Sequence, residues 1–182
     1  MYAGITLVMA LLLTRPVDIP VAGICAVDYL TIENTIPNKQ AASDEEYILT
    51  DEEFDYLCRC VEAEAGDQPY PGKCYVVDCI LNRVDSNGFP NDVISVINET
   101  HKRKDGTICY QFETVLNGRI CTVEVTEETR QAVMEELKNR KDYEMLYFCM
   151  YRWFDSWAEY MFTYPEDRSW NCHHFYKEKR KE

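Results

Sequence analysis

Polar and apolar positions fall into blocks with different periods, and each block predicts an element. Thr50-Asp51-Glu52-Glu53 has the form of a capping box, in which the Thr50 hydroxyl accepts from the Glu53 amide and the Glu53 carboxylate reaches back. Behind it Phe54, Leu57, Cys58, Val61 and Ala65 recur at helical spacing, and Gly66-Asp67 supplies a stop. Pro71 opens a second helix over 72–84. Its Cys74–Val77 and Cys79–Leu81 stretches leave few polar positions, the mark of a central, buried helix. On it Asp78 and Asn82 lie one turn apart and share a face.

Ser86-Asn87-Gly88 is a turn, and 90–98 forms a short third helix. Residues 105–125, rich in Gly, Thr, Val and Tyr, predict hairpin or extended structure. An amphipathic surface helix follows over 126–140, with Ala132, Val133 and Leu137 inward, and the aromatic-rich stretch 143–164 is expected to be helical and partly buried.

The N-terminal part differs in kind. Ile5–Leu13 is an apolar run of signal-peptide length, short of the roughly 20 residues that span a bilayer. Residues 1–26 therefore read as a signal peptide or N-terminal anchor, which implies export, released or membrane-anchored outside the cytoplasm. Residues 27–48 read as a linker, 49–177 as the folded domain and 178–182 as a basic tail. A membrane is expected as a partner only through that anchor, and the domain is expected to be a monomer.

A net charge of −13 disfavours nucleic acid, whose phosphates need clustered Lys and Arg. The terminal Lys177–Lys181 cluster, interrupted by Glu178, reads as a solvated tail. Nine cysteines cannot all pair, and Cys58, Cys60, Cys74, Cys79 and Cys149 lie in apolar runs, so most are expected to be reduced core residues.

Candidate chemistry starts from the first helix. At about 100° per residue, Glu64 returns to within roughly 20° of Leu57 on the core-facing stripe, flanked by Cys60 and Val61. Glu62 points about 140° away and is expected in water. Glu64 thus combines shelter with the negative end of a helix dipole, and both favour the protonated form. A glutamic acid kept protonated near neutrality is what protonating a glycosidic oxygen requires. A core-edge glutamate paired to Arg83 or Lys73 is the competing reading.

The segment from Val61-Glu62-Ala63-Glu64-Ala65-Gly66-Asp67-Gln68-Pro69-Tyr70-Pro71-Gly72-Lys73 into Ile80-Leu81-Asn82-Arg83-Val84 and Gly88-Phe89-Pro90 resembles the spore cortex-lytic enzyme, or cell wall hydrolase, family. Gln111-Phe112, Asn117-Gly118-Arg119-Ile120, Leu146-Tyr147-Phe148 and His173-His174-Phe175-Tyr176 continue the likeness, which covers about residues 52–176 in order. A glycine usual in that family before the histidine is replaced here by the Trp170-Asn171-Cys172 region, and 149–169 is unusually aromatic.

The resemblance implies an α+β fold, a mainly α lysozyme-like domain with a small β-hairpin region. It implies cleavage of peptidoglycan glycan strands after N-acetylmuramic acid in a lytic transglycosylase mode, with Glu64 as the catalytic acid and then base, and no metal or cofactor. Tyr70, Gln111, Phe112, His173 and Tyr176 become candidate substrate-binding residues, Tyr70 and Tyr176 as stacking platforms. A hydrolytic muramidase needs a second carboxylate, for which Glu113 is the nearest candidate. A non-catalytic glycan binder is the other alternative. A cysteine peptidase built on Cys60 and His173 suffers from the apolar surroundings of that thiol. A zinc site of Cys58, Cys60, Cys172 and His173 suffers from its Cys-x-Cys spacing.

Overall fold

A computed structural model describes residues 47–142, 144–150, 158–166 and 172–179. The expected signal or anchor segment, nearly all of the linker and the end of the basic tail lie outside the described residues. Among the described residues no helix is long and apolar enough to cross a membrane.

The elements run α1 (Asp51–Ala65), α2 (Tyr70–Asp85), α3 (Val93–Ile97), β1 (Thr100–Lys102), β2 (Ile108–Tyr110), α4 (Glu113–Leu116), α5 (Arg119–Thr122), α6 (Glu127–Lys138), β3 (Met145–Cys149), β4 (Ala158–Tyr164) and β5 (His173–Glu178). The architecture is α+β and mainly helical. The capping box forms as expected, with the Thr50 hydroxyl accepting from the Glu53 amide at 3.2 Å and Glu53 accepting from the Thr50 amide at 2.9 Å.

One core joins α1 and α2: Leu57, Cys60, Val61, Val76, Val77, Ile80 and Leu81 pack with Val93, Val96 and Ile97 of α3, Phe112, Ile120 and Val133. α2 is buried along most of its length because its other side carries the sheet. There Cys79 meets Met145 and Phe175, and Tyr75 packs edge-on against Phe162, Tyr164 and Phe175.

Two expectations are corrected. The described residues of 143–164 are not helical: they supply β3 and β4, which flank β5 in an antiparallel sheet of order β3-β5-β4. Aromatic side chains at this density favour the pleated surface, where Phe162 stacks on Phe175 at 5.0 Å. Residues 105–125 are only partly extended. β2 pairs with β1, but α4 and α5 follow, turned on Gly118, whose φ of 73° suits glycine.

Among the described residues no two cysteines are joined to each other, and Cys58, Cys60, Cys74, Cys79 and Cys172 are buried. Asn82 ties α2 to the start of β3, donating to the Asp142 and Met145 carbonyls at 3.0 and 2.9 Å. Arg83 donates to the Leu146 carbonyl at 2.7 Å, its guanidinium lying over the rings of Phe89, Phe112 and Tyr147.

Asp78 faces Glu136 of α6, and both are buried. Asp78 accepts from the Asp142 amide at 3.0 Å, while Glu136 accepts from the Lys141 amide at 2.9 Å and pairs with its ammonium at 2.8 Å. Burial, then the bond and charge of Glu136, hold Asp78 well above the usual carboxylate range. An acid whose folded pKa is raised stabilises fully below its unfolded pKa, and that contribution is lost as pH rises toward the folded value. The loss is about 1.4 kcal/mol per pH unit. Asp78→Asn keeps an acceptor for Asp142 and a donor toward Glu136 without this proton. Thermal melts from pH 5 to 8 are expected to show the variant gaining on the wild type as pH rises. Parallel curves would show that no proton is held there.

Candidate active site

Glu64 stands in the last turn of α1, half-buried. Its Oε1 accepts from the Thr114 hydroxyl at 2.8 Å and, less closely, from the Thr114 amide at 3.3 Å. Oε2 has no donor among the described residues. Neither Arg83 nor Lys73 pairs with it. Arg83 is spent on Leu146 and three rings, and Lys73 pairs with Glu128 at 2.9 Å.

Burial is the largest influence on the Glu64 carboxyl and pushes its pKa up. The two Thr114 bonds pull the other way, the Glu113 charge adds to the rise, and Arg119 opposes it; the net direction is upward. The result is a carboxyl group biased toward its protonated form, with Oε1 held by Thr114.

Glu62 is a correction. It is 7% exposed rather than in water. Its Oε2 accepts from the Thr126 amide at 3.0 Å, the Thr126 hydroxyl at 2.7 Å and the Thr129 hydroxyl at 2.5 Å, at the N-terminus of α6. Burial alone raises its pKa. The bonds from Thr129 and Thr126, with the nearby Lys73 charge, overcome that and leave it lowered. Two glutamates two positions apart are thus shifted in opposite directions by different surroundings. Gly66 is part of this arrangement: a Cβ there would lie 2.5 Å from both the Glu62 carbonyl and its Oε1.

The other candidate residues are placed as follows. Gln111 is half-buried, its amide donating to the Glu99 carbonyl at 3.0 Å. Phe112 is buried under Arg83 and beside Phe148, so it serves the core. Tyr70 donates to Glu135 at 2.6 Å, with the Lys141 ammonium over its ring, which fixes the start of α2 against α6. Tyr176 is buried in β5 edge-on to Tyr160. His173 is buried against Phe148 and Phe175, and burial lowers its pKa to about 4 despite the Asp67 charge. It is neutral at physiological pH.

Thr114 and Arg119, which reach Glu64 by bond and by charge, were absent from the sequence candidates. Their place inside and beside the Gln-Phe and Asn-Gly-Arg motifs is the signal that marks them. The rival chemistries find little support. Cys60 is fully buried and its thiol is pushed well above its ordinary pKa by that burial. Among the described residues no group of three His, Cys, Asp or Glu is arranged to hold a metal ion.

A mainly helical domain with small antiparallel sheets and a sheltered acid at a helix end has the architecture of a lysozyme-like enzyme. A family model for cell wall hydrolases matches residues 67–176, more than half of the chain. The chain belongs to the cell wall hydrolase family and is an enzyme acting on peptidoglycan. Among solved structures it is similar to the catalytic domain of the germination-specific lytic transglycosylase SleB from Bacillus anthracis. That likeness has 26% identity and a TM-score of 0.53, covering 71% of this chain and 97% of that one. The catalytic domain of the Bacillus cereus SleB protein is also similar, at 26% identity and a TM-score of 0.46, over 59% of this chain and 77% of that one. No curated protein matches the sequence. Glu64 lies three residues before the family match begins, so its role is argued from its surroundings.

Proposed function

We propose that this enzyme cleaves peptidoglycan glycan strands after N-acetylmuramic acid as a lytic transglycosylase, with Glu64 as its acid and then its base. The observation that carries the proposal is the held, half-buried, protonation-favouring carboxyl of Glu64. The likeness to a lytic transglycosylase catalytic domain supports the reaction type.

In this mechanism protonated Glu64 donates its proton to the oxygen between muramic C1 and the next sugar, and the C1–O bond breaks. The resulting carboxylate takes the proton of the muramic C6 hydroxyl as that oxygen bonds to C1. A 1,6-anhydro end forms, no water is consumed, and Glu64 regains its proton. One carboxyl group suffices. Thr114 fixes Oε1, so Oε2 is the oxygen that carries the proton.

Digesting purified peptidoglycan and weighing the fragments tests this. Anhydro-muropeptides are expected; fragments heavier by one water would show hydrolysis. Glu113 keeps the hydrolytic reading open, because its charge acts on Glu64 and a muramidase needs a second carboxylate.

The grip of Thr114 gives a separate prediction. Its hydroxyl bond favours the ionised form, so Thr114→Val is expected to raise the Glu64 pKa further and move the alkaline limb of the pH–rate profile to higher pH. Looser positioning is expected to lower kcat roughly tenfold. An unmoved limb would place Thr114 outside the site's electrostatics.

Activity outside the cytoplasm follows from where peptidoglycan lies. Export through residues 1–26 and a monomeric domain remain part of the same proposal.

A further inference from the structure

The chain holds 32 acidic residues against 19 lysines and arginines, yet the arm between α3 and α4 has the opposite charge. Lys102, Arg103 and Lys104 follow one another at the tip of the β1–β2 hairpin, after His101, and all are exposed. The acid of this turn, Asp105, is exposed as well and accepts from the Thr107 amide at 2.9 Å.

Six other cations among the described residues are paired: Arg59 and Arg130 with Asp55, Lys73 with Glu128, Arg140 with Asp85, Lys141 with Glu135 and Glu136, Lys177 with Glu144. No carboxylate among the described residues forms an ion pair with Lys102, Arg103 or Lys104. The hairpin register pairs Lys102 with Ile108 and Thr100 with Tyr110. One face therefore presents a cation beside Ile108 and Tyr110, which are 61% and 39% exposed. The arm is rooted where the site is built: the Gln111 amide closes its base on the Glu99 carbonyl, and three residues later Thr114 holds Glu64.

We propose that this arm binds the acidic peptide stems of peptidoglycan, making stem-bearing glycan the enzyme's preferred substrate class. The inference rests on Glu64 being the catalytic acid of a glycan-cleaving site. Stem carboxylates meet Lys102, Arg103 and Lys104 in charge-assisted hydrogen bonds, and aliphatic stem side chains cover Ile108 and Tyr110. A stem hangs from the lactyl group of a muramic residue, next to the bond that is broken. Stems carry isolated carboxylates among apolar groups, which matches this face. A continuous polyanion such as a wall phosphate polymer is repelled by the acidic remainder of the domain.

The test uses the full chain, its Lys102→Gln/Arg103→Gln/Lys104→Gln variant and Glu64→Gln. Substrates are glycan strands freed of phosphate polymers by acid treatment, with stems intact or removed by an amidase, and the same wall before acid treatment. On intact stems the triple variant is expected to show KM raised roughly tenfold with kcat nearly unchanged, the gap closing at about 0.5 M salt. On stem-free strands the two enzymes are expected to be equal.

Equal KM on intact stems overturns the proposal. So does an equal loss on both acid-treated substrates, which assigns the arm to the sugar backbone, and so does a loss confined to the untreated wall, which assigns it to phosphate polymers. Failure of the Glu64 reading is recognised separately, because Glu64→Gln then still turns over.

Discussion

Glu64→Gln is expected to remove at least about a hundredfold, and up to about ten-thousandfold, of kcat on peptidoglycan while leaving the fold intact. The amide keeps an oxygen for Thr114 to hold, and its volume is almost that of the acid, so helix packing is undisturbed. What it lacks is the proton for the leaving oxygen and the base for the C6 hydroxyl. The loss should therefore appear in kcat, with strand binding retained. Kinetics on soluble strands, beside a thermal melt to confirm folding, checks it. A variant that melts like the wild type and keeps more than a tenth of its rate would remove Glu64 from the chemistry.

Glu62→Ala is expected to destabilise the domain by about 3 kcal/mol, and to do so without abolishing catalysis in the protein that remains folded. Truncation strands the Thr126 amide and the Thr129 hydroxyl and removes a charge that Lys73 feels. It also releases the start of α6, which Glu62 holds against α1. Glu62→Gln retains one acceptor oxygen and should lose less. Because Glu62 has a lowered pKa, its contribution is present above the unfolded glutamate pKa and fades as pH falls through the folded value. Urea titrations at pH 7 and pH 4 are the measurement. A loss below about 0.5 kcal/mol at pH 7 would mean the network contributes little.

These two glutamates show what could be read without coordinates. Helical spacing from Leu57 placed Glu64 on the sheltered side of α1, because the core stripe is a property of that helix alone. The same arithmetic sent Glu62 to water, because spacing within α1 carries no information about what covers its far side. The cover is the N-terminus of α6, more than sixty positions along the chain, where Thr126 and Thr129 supply the donors.

The capping box at Thr50, the buried α2 and the amphipathic α6 were legible for the same local reason. The order β3-β5-β4 was not. It joins strands across the chain, and the aromatics of 143–164 fit a buried helix as well as a pleated face until Phe175 is seen between them. Thr114 escaped notice because it meets Glu64 across fifty positions, although it sits two residues after a motif phenylalanine.

The account depends on one group holding its proton beyond the range of an ordinary glutamate. Carbon-13 NMR of the glutamate carboxyls, with Glu64 assigned by its absence in Glu64→Gln, measures that directly. Glu64 is predicted to titrate above about 4.3, the value of a free glutamate. Titration at or below that value would show a plain carboxylate at position 64, unable to act as the acid, and would contradict the account.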